Sequence, residues 1–449
     1  MRPAGDASKL GAMKLTRARR WVIGSVITLL LLLGGGAWIA WRLLPSDEQL
    51  AARVSESFER ASGIGLRVGG ASWSLRPAPV VVLRDLATDQ SRPITVRRVV
   101  LRPRLAALLR HTIAIEAVDV EGAVLPRASV RAFRGRWKTD ELSGAMPWIP
   151  ADTPIERLRL NDVVWINRQD IALAYDADVR FDPGWRPREA ELQRPGVSPT
   201  TRLHLAREGN EDRWRVEIDA GGGTWNGEAE LHTSEQGHLR LTAQLEPRGV
   251  DVGELVGAFR RHQAVQGRFN GRTEVRSEGD DVGELMRHLN TRTRFVMRPA
   301  TIKGFDLSKV VGAPNAARGG QTVLDELTGT VETQTTEDGI LLRYIGLKAR
   351  SGVLSASGSA SVLNRRLDGE MAIDLVDGMV GVPLKLAGTL DNPQVSMTGG
   401  ALAGAAVGTA VLPGVGTAIG ARVGQQVEKL FGGDDENKPP RRPAPSKAR

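Results

Sequence analysis

From about Leu66 to Met397 apolar residues recur at every second position, and this pattern constrains the fold more than any other feature of the chain. The clearest stretch is 213–220, where Trp214, Val216, Ile218 and Ala220 fall on one face and Arg213, Arg215, Glu217 and Asp219 on the other. The same alternation places Leu203 with Leu205, Leu239 and Leu241 with Ala243 and Leu245, and Met371 with Ile373 and Leu375. Turn residues punctuate these runs at Gly221-Gly222-Gly223, Gly267, Gly271, Asp338-Gly339, Asp368-Gly369 and Asp377-Gly378. The pattern predicts a mainly β chain of many short antiparallel strands in meanders.

Helical signals are few. Ser46 stands three residues before Gln49, the spacing of a capping box. Leu50, Val54, Phe58 and Ala61 then form one apolar stripe, and Gly63 is placed to end the helix. A short helix is expected over 105–110. Two identical pentapeptides, Asp251-Val252-Gly253-Glu254-Leu255 and Asp281-Val282-Gly283-Glu284-Leu285, each read as a capped helical turn. So few helices cannot cover a large one-sided sheet. The sheet must either close on itself as a sandwich or barrel, or curl into a trough whose apolar inside holds a ligand. The residues alone favour the closed form, because filled interiors are the rule.

The N-terminus sets the compartment. Trp21 to Trp41 contains no charged residue, and a helix of that length spans roughly 30 Å, the hydrocarbon thickness of a bilayer. Six basic residues and one acidic one precede it, so residues 1–20 are expected in the cytoplasm and the bulk of the chain across the membrane. A cleaved signal peptide fits less well, because the run is long and Trp38 and Trp41 crowd the small residues at 37–40.

The net charge of +9 then loses its appeal as a nucleic-acid signal. Residues 1–20 hold +5 of it and the proline-containing tail 432–449 holds +2, which leaves +2 for the body. There is no cysteine, hence no disulfide and no thiolate chemistry. The six histidines make no metal-binding spacing, and no phosphate loop or nucleophile elbow is present. Asp280-Asp281 reads as a turn and cap, and Gly414 to Gly420 lacks the strand that a dinucleotide loop requires. No catalytic residue, metal site or cofactor is expected, and no enzyme.

The segment 399–431 breaks the strand pattern. Gly400, Gly404 and Gly408 recur every fourth residue, as do Gly416, Gly420 and Gly424 beyond Pro413-Gly414. This spacing puts glycines in one groove down each of two short helices and predicts a helical hairpin, the alternative being a flexible Gly/Ala-rich tail, since glycine opposes isolated helices.

Two stretches resemble the AsmA family of bacterial envelope proteins. The first joins the anchor to residues 54–63, 73–79, 81–86, 105–110 and 115–120. The second comprises 266–271, 282–290, 300–307 and 382–393, and its Val382-Pro383-Leu384, Gly388-Thr389-Leu390 and Asn392-Pro393 are the most specific part. The resemblance implies kinship with TamB-like and other bridge-like lipid-transfer proteins, a curled sheet with an elongated apolar groove, and phospholipid binding between two membranes. It carries no catalytic residues and favours the trough over the closed form. The organisation expected is a cytoplasmic basic tail (1–20), a transmembrane helix (21–44), two groove-forming parts (46–198 and 199–398), the hairpin (399–431) and a disordered tail (432–449). Trp214, Val216, Ile218, Leu239, Leu241 and Leu245 are the expected groove-facing residues. Expected partners are phospholipid membranes and other envelope proteins, with no nucleic acid; the alternative is a non-transporting scaffold for outer-membrane assembly.

Overall fold

The computed structural model describes residues 46–74, 78–104, 107, 112–133, 136, 149–183, 186–261, 263–306, 318–336, 338–352, 354–375, 379–390 and 392–397. The expected membrane anchor, both terminal tails, the glycine-spaced hairpin and nearly all of 105–110 lie outside them. Among the described residues no helix is long and apolar enough to cross a membrane.

Helix α1 (Asp47–Ser62) has the ends that its sequence encodes. The Gln49 amide donates to Ser46 Oγ and the Ser46 amide to Gln49 Oε1, both at 3.2 Å. Gly63 closes the helix at φ 64, its N–H reaching the Glu59 carbonyl at 2.7 Å. Leu50, Ala51 and Val54 pack on Ala71, Leu83 and Leu86, which belong to β1 (Leu66–Ser74) and β2 (Val80–Thr88).

The strands continue as β3 (Thr95–Pro103), β4 (Thr112–Pro126), β5 (Ile149–Ile166), β6 (Ala172–Asp182), β7 (Arg186–Gln193), β8 (Arg202–Arg207), β9 (Arg213–Ala220), β10 (Gly223–Thr233) and β11 (Leu239–Arg248). A five-residue helix, α2 (Arg127–Arg131), follows β4. Beyond β12 (Val250–Asp251) and α3 (Val252–Ala258) come β13 (Val265–Gln266), β14 (Arg268–Gly279), α4 (Val282–Arg287), β15 (Asn290–Met297), β16 (Ala300–Phe305) and β17 (Arg318–Leu324). The last strands are β18 (Glu326–Thr336), β19 (Gly339–Ser351), β20 (Leu354–Leu363), β21 (Arg366–Leu375), β22 (Met379–Thr389) and β23 (Asn392–Met397).

Twenty strands form one sheet. Each of β1 to β11 pairs with the next, then β11 with β14, β14 with β15, β15 with β18, and on to β23; β12 adds to β14. The pairing crosses residues 198 and 199 without interruption. All these pairs are antiparallel except β4 with β5. The alternation does not show this exception, since a strand's faces look the same in either direction. The long connection 127–148 supplies the crossover that a parallel pair needs.

The small sheet β13–β16–β17 was equally hidden in the pattern. It closes one end of the large sheet. Val250, Phe269, Met297, Ala300, Leu324, Leu327, Leu354, Ala356, Ile373, Leu384 and Val395 form a single buried cluster, with Val265 and Ile302 of the small sheet and Leu255 of α3 against it. Asp251 and Asp281 cap α3 and α4 through the amides of Glu254 and Glu284. The second box closes one residue early, because Glu284 accepts from the Asp280 amide at 2.8 Å.

Two expected turns are strand instead. Gly369 lies inside β21, and the chain reverses at Asn364 and Arg365, both with positive φ. Gly271 lies inside β14, opposite Phe295, and Phe295 faces Gly329 on the other side. Close strand approach requires this glycine: a Cβ on Gly271 would sit 2.0 Å from the Arg294 carbonyl oxygen. Asp377 and Gly378 lie outside the described residues.

Candidate functional site

The register aligns one uncharged row across the sheet from edge to edge. It begins Trp73, Val81, Leu101, Val118, Leu158, Val179, Ala190, Leu205 and Val216 on β1 to β9. It continues through Gly227, Leu245, Thr273, Thr293, Val331, Tyr344, Ala360, Gly369, Leu386 and Val395. Directly registered residues share a face, so these side chains make one surface. Each is buried or half-buried.

The neighbouring row, one residue along, faces the other way and is charged. It runs Arg157, Arg180 and Glu189 on β5 to β7, Arg215 and Glu228 on β9 and β10, and Glu274, Arg292, Glu332 and Arg343 on β14 to β19. Cross-strand ion pairs cover this face, including Arg102–Asp119 at 2.8 Å, Arg180–Glu189 at 3.1 Å and Arg240–Glu278 at 2.6 Å. Arg157 Nε donates to Asp178 at 2.9 Å, and this bond holds the Asp178 carboxyl below its usual range, with Arg159 assisting. Asp182 is lowered likewise, first by Arg188 and then by Arg207. A cavity of about 610 Å³ lies at the margin of this face, lined by Arg102, Arg157, Arg180 and Asp182 together with Glu116 and Glu156, which precede Val118 and Leu158 by two residues. Its charged lining offers nothing to an acyl chain.

All six residues expected to face a groove lie on the uncharged side. Trp214, Val216 and Leu245 are buried, while Ile218, Leu239 and Leu241 are half-buried. The pairs Trp214–Ala229–Ala243 and Val216–Gly227–Leu245 align them across three strands, with Leu231 opposite Leu241. Gly227 permits this closeness: its Cβ would meet the Gln244 carbonyl oxygen at 1.9 Å. Gly400, Gly404, Gly408, Gly416, Gly420 and Gly424 lie outside the described residues. Among the described residues no group of three His, Asp or Glu is placed to hold a metal ion. His204 stands on the charged face between Glu189 and Glu217, at 3.6 and 3.8 Å.

Sequence reading missed the polar members of the uncharged face. Trp225 Nε1 donates to Thr273 Oγ1 at 3.0 Å, and Thr273 and Thr293 share a hydrogen bond of 2.9 Å. Arg194 and Thr201 extend the Leu192–Leu203 row at its rim, the Arg194 amide donating to the Thr201 carbonyl at 3.0 Å. Their even spacing from Ala190, Leu192, Leu203 and Leu205 was the available signal. No protein-family model, curated protein or solved structure matches the chain.

Proposed function

We propose that the uncharged face is the lining of a curled trough that binds phospholipid acyl chains, in an AsmA-type protein anchored in the inner membrane by residues 21–44. Residues 1–20 then lie in the cytoplasm, the body lies in the periplasm, and the chain conveys lipid between envelope membranes without catalysis. The observation that carries this reading is the row of nineteen registered residues, one per strand, without a single charge. At about 4.8 Å per strand it extends roughly 85 Å along the sheet. An acyl chain in water costs about 0.8 kcal/mol per exposed CH₂, and such a row replaces water where nothing in the chain already covers it, chiefly from β5 to β9.

Curvature has its own support. β13 runs through Gly267 into β14, and β16, paired with β13, meets β23. Seven strand intervals separate β14 from β23, about 34 Å in a flat sheet. A bent sheet accounts for both reaching one small three-stranded cap. The ion-paired outer face suits an aqueous compartment.

The test is to purify the full chain in a non-phosphate detergent and assay retained phospholipid by mass spectrometry. Retained lipid, lost in Ile218→Asp while the β-rich fold persists, is the expected outcome. A folded native protein without lipid overturns the reading and favours the scaffold alternative.

A further inference from the structure

The uncharged face ends in an arginine at each end of β8, and the two are neutralised differently. Arg207 sits over the Trp214 ring at 6.0 Å. Its guanidinium meets two carboxylates, Asp182 at 3.2 Å and Asp212 at 2.8 Å. Arg194, at the opposite rim, is only 8% exposed. Its guanidinium lies 5.4 Å from the centres of both the Tyr175 and Phe259 rings, and Nε reaches the Ala174 carbonyl at 3.4 Å. Nη1 is buried without a hydrogen-bond partner, and so is Thr201 Oγ1 on the adjoining strand end. Among the described residues no carboxylate pairs with Arg194.

A buried cation with an unpaired donor and no counter-charge is costly unless something anionic completes it. Two aromatic faces soften that cost, but they leave the in-plane N–H groups unused. We propose that Arg194, with Thr201 Oγ1 beside it, binds a phosphate group at the rim of the uncharged face. A guanidinium fork matches phosphate oxygens. The position is apt for a lipid headgroup. From Arg194 the side chains of Leu192, Leu203, Leu205 and Ile218 lead inward on the same face, so the phosphate would anchor at the rim while the acyl chains follow the row. The headgroup part of this inference rests on the lipid reading above; the anion site itself does not.

The test uses the full chain in maltoside detergent and phosphate-free buffer. It is loaded with phosphatidic acid or with diacylglycerol of the same acyl chains, and retained lipid is quantified. A second arm follows thermal unfolding with and without inorganic phosphate. The native protein should favour phosphatidic acid by about tenfold or more, the worth of one charge-assisted hydrogen bond. Arg194→Met should abolish that preference while diacylglycerol retention and the melting temperature hold, since Met keeps the contact with both rings. Thr201→Val, nearly isosteric, should reduce the preference about threefold. Equal retention of both lipids by the native protein overturns the proposal and leaves the lipid reading standing. So does a preference that survives Arg194→Met and Thr201→Val. If Arg194→Met unfolds the chain while Thr201→Val keeps full preference, Arg194 is a clamp between two rings and the proposal falls. If neither lipid binds but phosphate raises the native melting temperature and not that of Thr201→Val, the anion site stands for free phosphate and the lipid reading fails. If neither lipid binds and phosphate has no effect, both fall.

Discussion

The two ends of the large sheet treat the same uncharged face differently. From β12 to β23 it is filled: α3 and the small sheet lie on it, and Val250, Leu324 and Leu384 are almost wholly inaccessible. Where polar side chains enter there, as at Thr273 and Thr293, each hydroxyl has a partner. From β5 to β9 the substantial contacts of each strand are with its neighbours in the sheet. Leu158, Leu203, Leu205 and Ile218 stay half-buried, and Leu192 is 38% exposed. A residue's chemistry is therefore the same in both regions, and its cover is not. One region has the anatomy of a core and the other that of a partly exposed apolar surface.

Aspartate substitutions should break this comparison most sharply. Leu384→Asp places a carboxylate where exposure is 0% and should cost about 4 kcal/mol or more, read by chemical denaturation. Ile218→Asp should cost far less and act on lipid retention instead. Equal destabilisation by the two would mean that the middle of the sheet is closed as tightly as its end.

Next in size is Gly227→Val. The added side chain would force the Gln244 carbonyl away and should cost about 1–3 kcal/mol. Gly237→Ala, in an open turn at φ 83, should cost less, through backbone strain alone. Comparing the two melting temperatures separates close strand approach from turn conformation.

A smaller effect sharpens the description of the filled end. Trp225→Phe removes the donor to Thr273 but keeps a ring against Phe269, whose centroid lies 5.5 Å away. The loss should be about 1 kcal/mol. The corresponding change at Trp214, whose Nε1 donates to the Pro187 carbonyl at 2.6 Å, should be similar if both regions are equally rigid, and smaller if the middle of the sheet adapts more readily.

The charged face should respond least. Asp178 and Asp182 are held below their usual range by Arg157 and Arg188. A depressed carboxylate stabilises the fold above its unfolded pKa, and that contribution is lost as pH falls through the folded value. Stability should therefore be flat near neutrality and decline only below about pH 4. The Asp178–Arg157 pair is half-buried and still reached by water, so Asp178→Asn should cost about 1 kcal/mol. A decline already evident at pH 6 would point to other groups.

What the chain determined locally was legible in its residues. Ser46, Gln49 and Gly63 set both ends of α1 because capping is satisfied within a few residues. The alternation at 213–220 and 239–245 set which side chains share a face, because the pleat has a period of two. Asp368-Gly369 misled for a related reason: its turn chemistry is local, but a Cβ at Gly369 would sit 2.6 Å from the Ser359 carbonyl oxygen on the neighbouring strand, and Asn364-Arg365 made the turn. Tertiary structure alone decided the rest. The parallel direction of β5, the small sheet over the filled end, and the isolation of Arg194 from every carboxylate that Arg207 enjoys all depend on partners far away in the chain. A period of two fixes faces but names no neighbour, and only pairing across the sheet together with the placement of α3 brings Arg194, Thr201, Tyr175 and Phe259 into one place.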